Sequence, residues 1–131
     1  MIKEFGKICG YATVFNVKDC YNDIILPQSL CKKMITDKIF YQHSYNKEIG
    51  KLINIREDDI GLYVEGLIDI YSNYQLYSLV KNQLLNGLSI GYVAKKYRFE
   101  NNVRILEKID LIEISLVDFP ANKFCKINYC C

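Results

Sequence analysis

A serine between two glycines is the first feature of this sequence that could support catalysis. Gly87, Ser89 and Gly91 form a G-x-S-x-G pattern. In α/β-hydrolases that pattern holds a nucleophilic serine in a sharp turn between a strand and a helix. Here a helical pattern precedes the motif, a strand pattern follows it, and the single histidine comes before the serine instead of after it. This order excludes the α/β-hydrolase fold. It leaves Ser89 either as a nucleophile in another fold or as a structural serine at the start of a strand.

On a strand, alternate side chains share a face, so Ser89 and Gly91 are expected on the same side. The glycine would then leave open space beside the hydroxyl, as a substrate backbone requires. A serine hydroxyl also needs a base, and imidazole exchanges protons readily near neutral pH. His43, in Tyr41-Gln42-His43-Ser44, is the only histidine of the chain. The alternative is a hydrogen-bonded or surface histidine at the end of a strand.

A histidine base is usually oriented by a carboxylate. The most suggestive carboxylate is Glu113, in the apolar segment 111–117 (LIEISLV), where it shares a face with Ser115. Burying a carboxylate in such a segment without a partner is costly. Glu113 could instead face solvent, and Asp110 and Asp118, at the two ends of the segment, are weaker candidates for the same role.

The elements that must position these residues are mostly strands. Strand patterns cover residues 4–15, 39–43, 49–55, 62–70, 88–100 and 103–117, the last as one long strand or two. Helical spacing covers residues 28–38, with Leu30, Met34 and Ile35 on one face, and residues 72–86. Asn101-Asn102 predicts a two-residue hairpin turn. We therefore predict an α+β fold, a mainly antiparallel β-barrel with two or more flanking helices, in one domain over residues 1–131 with a short C-terminal tail at about 123–131.

Composition narrows the class of protein. Seventeen Lys and Arg against fifteen Asp and Glu give a net charge of +2, too balanced for a dedicated nucleic-acid binder. The N-terminal segment has no signal-peptide pattern, and no run of eighteen apolar residues occurs, so we expect a soluble intracellular protein. Six cysteines without a C-x-x-C pair, and only one histidine, predict free thiols instead of disulfides or a zinc site. No metal or organic cofactor is expected.

Six segments in order resemble the tailed-phage prohead serine proteases, which are related in fold to the herpesvirus assemblins. They are GYATVFN at 10–16, NDIILPQSL at 22–30, QHS at 42–44, IGKLINIREDDIGLYVEGLI at 49–68, GLSIGY at 87–92 and LIEISLVDFPAN at 111–122. The resemblance implies Ser89 as the nucleophile, His43 as the general base and Glu113 as the third member. The chain departs from the family at Ser44, where relatives carry Asp or Asn.

The resemblance also implies a function. It is cleavage of the scaffolding segment of the major capsid protein, and self-cleavage, inside immature proheads in the cytoplasm of the bacterial host. The implied partners are the capsid protein and further copies of the chain, with no nucleic acid and no membrane. One alternative is a catalytically inactive capsid-assembly or scaffold-binding module of a decayed prophage. Another is an esterase or other small-substrate serine hydrolase, for which a deep, enclosed apolar pocket would speak.

Overall fold

β-Strands make up most of the structure. The computed structural model describes residues 4–32 and 36–130, which form nine strands and one helix. The strands are β1 (Phe5–Val14), β2 (Asp23–Ile25), β3 (Leu30–Lys32), β4 (Lys38–Tyr41), β5 (Ser44–Glu57), β6 (Gly61–Asp69), β7 (Gly87–Glu100), β8 (Val103–Val117) and β9 (Ile127–Cys130). The helix, α1 (Tyr74–Lys81), connects β6 to β7. In the described part of the chain no helix is long and apolar enough to cross a membrane.

Strand β8 organises the sheet. Along one edge it pairs antiparallel with β7, from Gly87–Val117 to Glu100–Val103. Along its other edge β2, β3 and β4 follow one another, each parallel to it. From β4 the sheet continues through β5, β6 and β1 to β9, with every pair antiparallel. The two ends of this path meet where Gly87 bridges to Lys126, so the sheet curls almost into a barrel.

The hydrophobic core fills the curled sheet. Strand β8 supplies Leu106, Ile109, Ile114 and Leu116, all fully buried. Burying a side chain of this size stabilises the fold by roughly 1.5–3 kcal/mol. Glu113 and Ser115, which alternate with Ile114 and Leu116, are buried as well, so the C-terminal part of β8 is covered on both faces. Any polar group there must find its partners within the protein.

The structure confirms the predicted α+β class with a barrel-like sheet. The long strands lie where the period-two patterns placed them, and residues 103–117 form one strand. Asn101 and Asn102, with φ of 50° and 69°, form the predicted hairpin turn. The sheet is mainly antiparallel, as predicted, but not purely so, because the short strands β2, β3 and β4 run parallel to β8. Cys9, Cys20, Cys31 and Cys125 carry free thiols.

The predicted helices need correction. Within residues 28–38, Leu30–Lys32 forms β3, because pairing with Ile109 and Asp110 on β8 overrides the local helical spacing. Met34 and Ile35, which supported that helix, lie outside the described residues. The helix expected over 72–86 is shorter and spans only Tyr74–Lys81. The described residues therefore contain one helix instead of two or more. The expected tail at 123–131 contains β9, paired with β1.

Candidate active site

Ser89 lies near the start of β7, opposite Ser115 of β8. Its neighbours Leu88 and Ile90 point into the core, so alternation turns the Ser89 side chain to the other face of the strand, where it is half-buried. There its Oγ lies 3.1 Å from Nε2 of His43. The two residues are 46 positions apart in sequence, and the sheet brings them within hydrogen-bond reach.

His43 lies in the tight turn between β4 and β5. A strand was expected over residues 39–43, but β4 ends at Tyr41, and Gln42 and His43 form a two-residue turn that closes where Tyr41 pairs with Ser44. Both turn residues have positive φ, 54° and 58°. This left-handed conformation is uncommon for residues other than glycine and needs support from the surrounding structure.

Strand β8 and the residue after it supply that support. The backbone N–H of Gln42 donates to the carbonyl of Leu116 at 2.9 Å. The Gln42 side chain donates to Asp118 Oδ2 at 2.7 Å and accepts from the Asp118 backbone N–H at 3.0 Å. The N–H of His43 donates to Ser115 Oγ at 3.2 Å. These contacts hold the turn so that the imidazole reaches Ser89 of β7 and Glu113 of β8.

The carboxylate of Glu113 lies on the other side of the imidazole. Its Oε1 is 2.5 Å from His43 Nδ1, and its Oε2 accepts a hydrogen bond from Ser115 Oγ at 2.7 Å. Glu113 is 1% exposed, so the alternative in which it faces solvent is wrong. Since a carboxylate can only accept, the neutral imidazole carries its proton on Nδ1 and presents the lone pair of Nε2 to Ser89.

Gly91 has a different role from the one expected. It lies opposite Glu113 in the β7–β8 pair. A Cβ built on Gly91 would overlap Glu113 Oε1 and lie 3.0 Å from its Cδ. The space beside Ser89 on this face is therefore filled by the Glu113 carboxylate, not left open for a substrate backbone. The second glycine of the G-x-S-x-G pattern lets the carboxylate reach His43.

The two weaker carboxylate candidates lie elsewhere. Asp110 is 3.7 Å from the ammonium of Lys95. Asp118 binds the Gln42 side chain and accepts from the Tyr41 hydroxyl at 3.1 Å. Asp118 therefore supports the turn that carries His43 without touching the imidazole.

A cavity of about 160 Å³ opens beside Ser89 and His43. Residues 12–14 at the end of β1, Ile90, and Asn122 line part of it, so its wall is partly apolar and partly polar. The edge of β7 that faces away from β8 also becomes free of a partner strand at this point. Leu88 donates its N–H to the carbonyl of Cys125, and the N–H and C=O of Ile90 face the same edge by alternation. In the described ranges no strand pairs with β7 on that side beyond the bridge at Gly87.

Sequence reasoning missed a buried ion pair next to this cavity. Asp23 begins β2 opposite Arg104 of β8. The Asp23 carboxylate is 6% exposed and accepts two hydrogen bonds of 2.9 Å from the Arg104 guanidinium. Tyr92 also donates to it at 3.3 Å. Burial, with a smaller contribution from Asp23, raises the pKa of Tyr92 to about 12. Both Asp23 and Tyr92 line the cavity.

Solved structures of herpesvirus proteases share this fold. The KSHV protease, solved in complex with a hexapeptide phosphonate inhibitor, aligns with a TM-score of 0.67 at 14% identity, over 95% of this chain and 64% of that one. The varicella-zoster virus protease aligns with a TM-score of 0.50 at 16% identity, over 82% of this chain and 58% of that one. Fold and site together therefore define the class. It is a protein with a curled sheet of the herpesvirus-protease kind, in which a serine, a histidine and a carboxylate are in contact.

The chain belongs to the Caudovirus prohead serine protease family, whose model matches residues 2–131. It is 28% identical to the prohead protease of Escherichia phage T5 over 130 residues, which are 93% of this chain and 61% of the relative. It is 34% identical to the prohead protease of Enterobacteria phage HK97 over 124 residues, 87% of this chain and 55% of the relative. The chain thus spans little more than half the length of these curated relatives.

Proposed function

We propose that this chain is a serine endopeptidase in which Ser89 is the nucleophile, His43 the general base and Glu113 the residue that orients the imidazole. The observation that carries the proposal is the continuous line of contacts from Ser89 Oγ to His43 Nε2, and from His43 Nδ1 to Glu113 Oε1. A serine, a base and an orienting carboxylate in that order are the arrangement that activates a hydroxyl for acyl transfer.

The chemistry proceeds through an acyl-enzyme. Ser89 Oγ bonds to the scissile carbonyl carbon while His43 Nε2 takes the hydroxyl proton, and the buried Glu113 carboxylate stabilises the resulting imidazolium. The C–N bond then breaks, and His43 returns the proton to the leaving amine. In the second half, His43 deprotonates a water that attacks the ester carbon. The C–Oγ bond breaks and Ser89 recovers its proton.

The open edge of β7 supports a peptide substrate. An extended peptide can add to a free strand edge through its main chain while single side chains enter adjoining pockets. Ile90, next to the nucleophile, has backbone groups facing that edge, and the cavity beside Ser89 has the volume of a single side chain. A cavity this small and partly polar is a poor match for the deep, enclosed apolar pocket expected of a small-substrate hydrolase.

Family membership supports a role in phage capsid maturation. In this proposal the chain cleaves the scaffolding segment of the major capsid protein inside the immature prohead, and also cleaves itself. Its partners are the capsid protein and further copies of the chain. The alternative, an inactive assembly module, would be favoured by a serine out of reach of its base. The separation of 3.1 Å between Ser89 Oγ and His43 Nε2 argues against it.

The test is co-expression with the major capsid protein from the same genome, followed by intact-mass measurement. The wild type is compared with Ser89→Ala, which removes only the nucleophile, and with Ser78→Ala, a matched control on α1. We expect trimmed capsid protein with the wild type and with Ser78→Ala, and full-length capsid protein with Ser89→Ala. Full-length capsid protein in all three, with the chain folded by circular dichroism, would overturn the proposal for that substrate. Trimming by Ser89→Ala would overturn the assignment of the nucleophile.

A further inference from the structure

Ser115 makes two hydrogen bonds to the candidate site and has no exposed surface. It lies on β8, two residues after Glu113 and on the same face of the strand. Its hydroxyl donates to Glu113 Oε2 at 2.7 Å and accepts the backbone N–H of His43 at 3.2 Å. One buried hydroxyl thus joins the carboxylate to the main chain of the residue whose ring that carboxylate binds.

The first bond fixes the rotation of the carboxylate. Glu113 Oε1 is occupied by the imidazole, and Oε2 is buried where Ser115 supplies its hydrogen-bond donor. A buried carboxylate oxygen without a donor is strongly destabilising, and the carboxyl group would turn to find one. Any such rotation moves Oε1 relative to His43 Nδ1, and the hydrogen bond that sets the tautomer of the ring loosens.

The second bond fixes the backbone of the base. His43 has a φ of 58°, and its N–H points at β8. Gln42 is held separately by Leu116 and Asp118, whereas Ser115 binds the backbone N–H of His43 itself. Residues 113–115 of β8 therefore bind both the ring and the main chain of His43.

We propose that Ser115 is a positioning residue of the site, which holds Glu113 and the His43 backbone in register without touching substrate. The proposal rests on the function proposed above and deepens it. It assigns the Glu113–Ser115 pair, and not the carboxylate alone, to orienting the imidazole.

The test uses an isosteric pair, Ser115→Thr and Ser115→Val. Both add the same bulk to a fully buried site, but only threonine keeps the hydroxyl. The ratio of the labelling rates of the two variants therefore separates the effect of the hydrogen bonds from that of packing. Ser115→Ala removes the hydroxyl without adding volume and serves if both larger variants fold poorly. The first readout is covalent labelling of Ser89 by a fluorophosphonate probe, in which an Oγ–P bond forms and fluoride leaves. It is analysed as a maximal labelling rate and a probe dissociation constant.

We expect Ser115→Val to label about tenfold to hundredfold more slowly than Ser115→Thr, the range for a hydrogen bond to a charged group, with little change in probe dissociation. The second readout is the Nδ1–H proton resonance, which in this chain belongs to a single histidine. It should be retained in Ser115→Thr and broadened or shifted upfield in Ser115→Val. Equal labelling and identical resonances in the two variants would overturn the proposal. If the wild type does not label at all, the protease proposal fails, and the resonance still decides the role of Ser115.

Discussion

Gly91→Ala offers a demanding test of how the site is assembled, because it adds one methyl group and removes no functional atom. Gly91 faces Glu113 across the β7–β8 pair, and a Cβ at this position would overlap Glu113 Oε1. The strand cannot easily move away, since β8 is paired along both edges. The carboxylate must therefore move, and with it the oxygen that binds His43 Nδ1.

The size of the effect follows from the contact. Carbon and oxygen atoms that are not bonded settle at about 3.5 Å, so Oε1 has to shift by roughly 1 Å. A misplacement of that order can lower a catalytic rate about a hundredfold, whereas overpacking costs about 1–3 kcal/mol of stability. We expect labelling of Ser89 by the fluorophosphonate to fall about a hundredfold while the protein still folds.

Gly66→Ala is the matched control. It also adds a methyl group to a strand glycine, but the nearest atom there is Cδ1 at the end of the Ile39 side chain, which can rotate, and the nearest backbone atom is the Lys51 carbonyl oxygen at 3.3 Å. Both variants restrict the unfolded chain equally, so that contribution cancels in the comparison. Labelling rates, urea unfolding and the His43 Nδ1–H resonance are measured for each. Wild-type labelling in Gly91→Ala, with that resonance unmoved, would refute the idea that this glycine makes room for Glu113.

Two further predictions concern the ion pair beside the cavity. Arg104→Met leaves the buried Asp23 carboxylate without its cation, and we expect it to lower the free energy of unfolding in urea by about 2–3 kcal/mol. This is less than for a fully buried pair, because the Arg104 side chain is 32% exposed. Arg98→Met, whose ion pairs lie at the surface, should lower the free energy of unfolding by less than about 1 kcal/mol. Equal losses in the two variants would contradict the reasoning. The second prediction concerns Tyr92, whose pKa is raised to about 12. Its stabilising contribution to the free energy of unfolding should be complete below pH 10, the ordinary tyrosine pKa, and should be lost as the pH rises towards 12. Tyr92→Phe should flatten that part of the stability–pH curve, and an unchanged slope would show that another group is responsible.

The sequence predicted the types of element better than the contacts between them. Period-two alternation placed Ser89 and Glu113 on strands and put Ser115 on the face of Glu113, as observed. The register at the site was not readable, because the hairpin at Asn101-Asn102 sets the pairing only near the turn and the β7–β8 pair then shifts register, once between Gly91 and Tyr92. For that reason the contact between Gly91 and Glu113 could not be foreseen.

The turn that carries His43 shows a second limit. Gln-His lacks the Gly, Asn or Asp that most often marks positive φ, and the local pattern favoured continuing the strand. Its left-handed conformation depends on Asp118, which is 76 positions away from Gln42 in sequence. The helix predicted over residues 28–38 is wrong for a related reason, since the strand conformation of residues 30–32 comes from pairing with residues 109–110. In both cases a distant segment outweighs the local pattern.

The central position of β8 has a consequence for when this site can exist. His43 and Ser89 are both made before the Asn101–Asn102 turn, but β4 and β7 pair with β8 and, in the described part of the chain, not with each other. A growing polypeptide that has just reached the turn holds the proposed nucleophile and the proposed base with no strand to align them. The Glu113 carboxylate is made only as part of β8, the strand with which β4 and β7 both pair. The proposed site can therefore form only once β8 has joined the sheet, and we expect a chain that ends before β8 to be inactive.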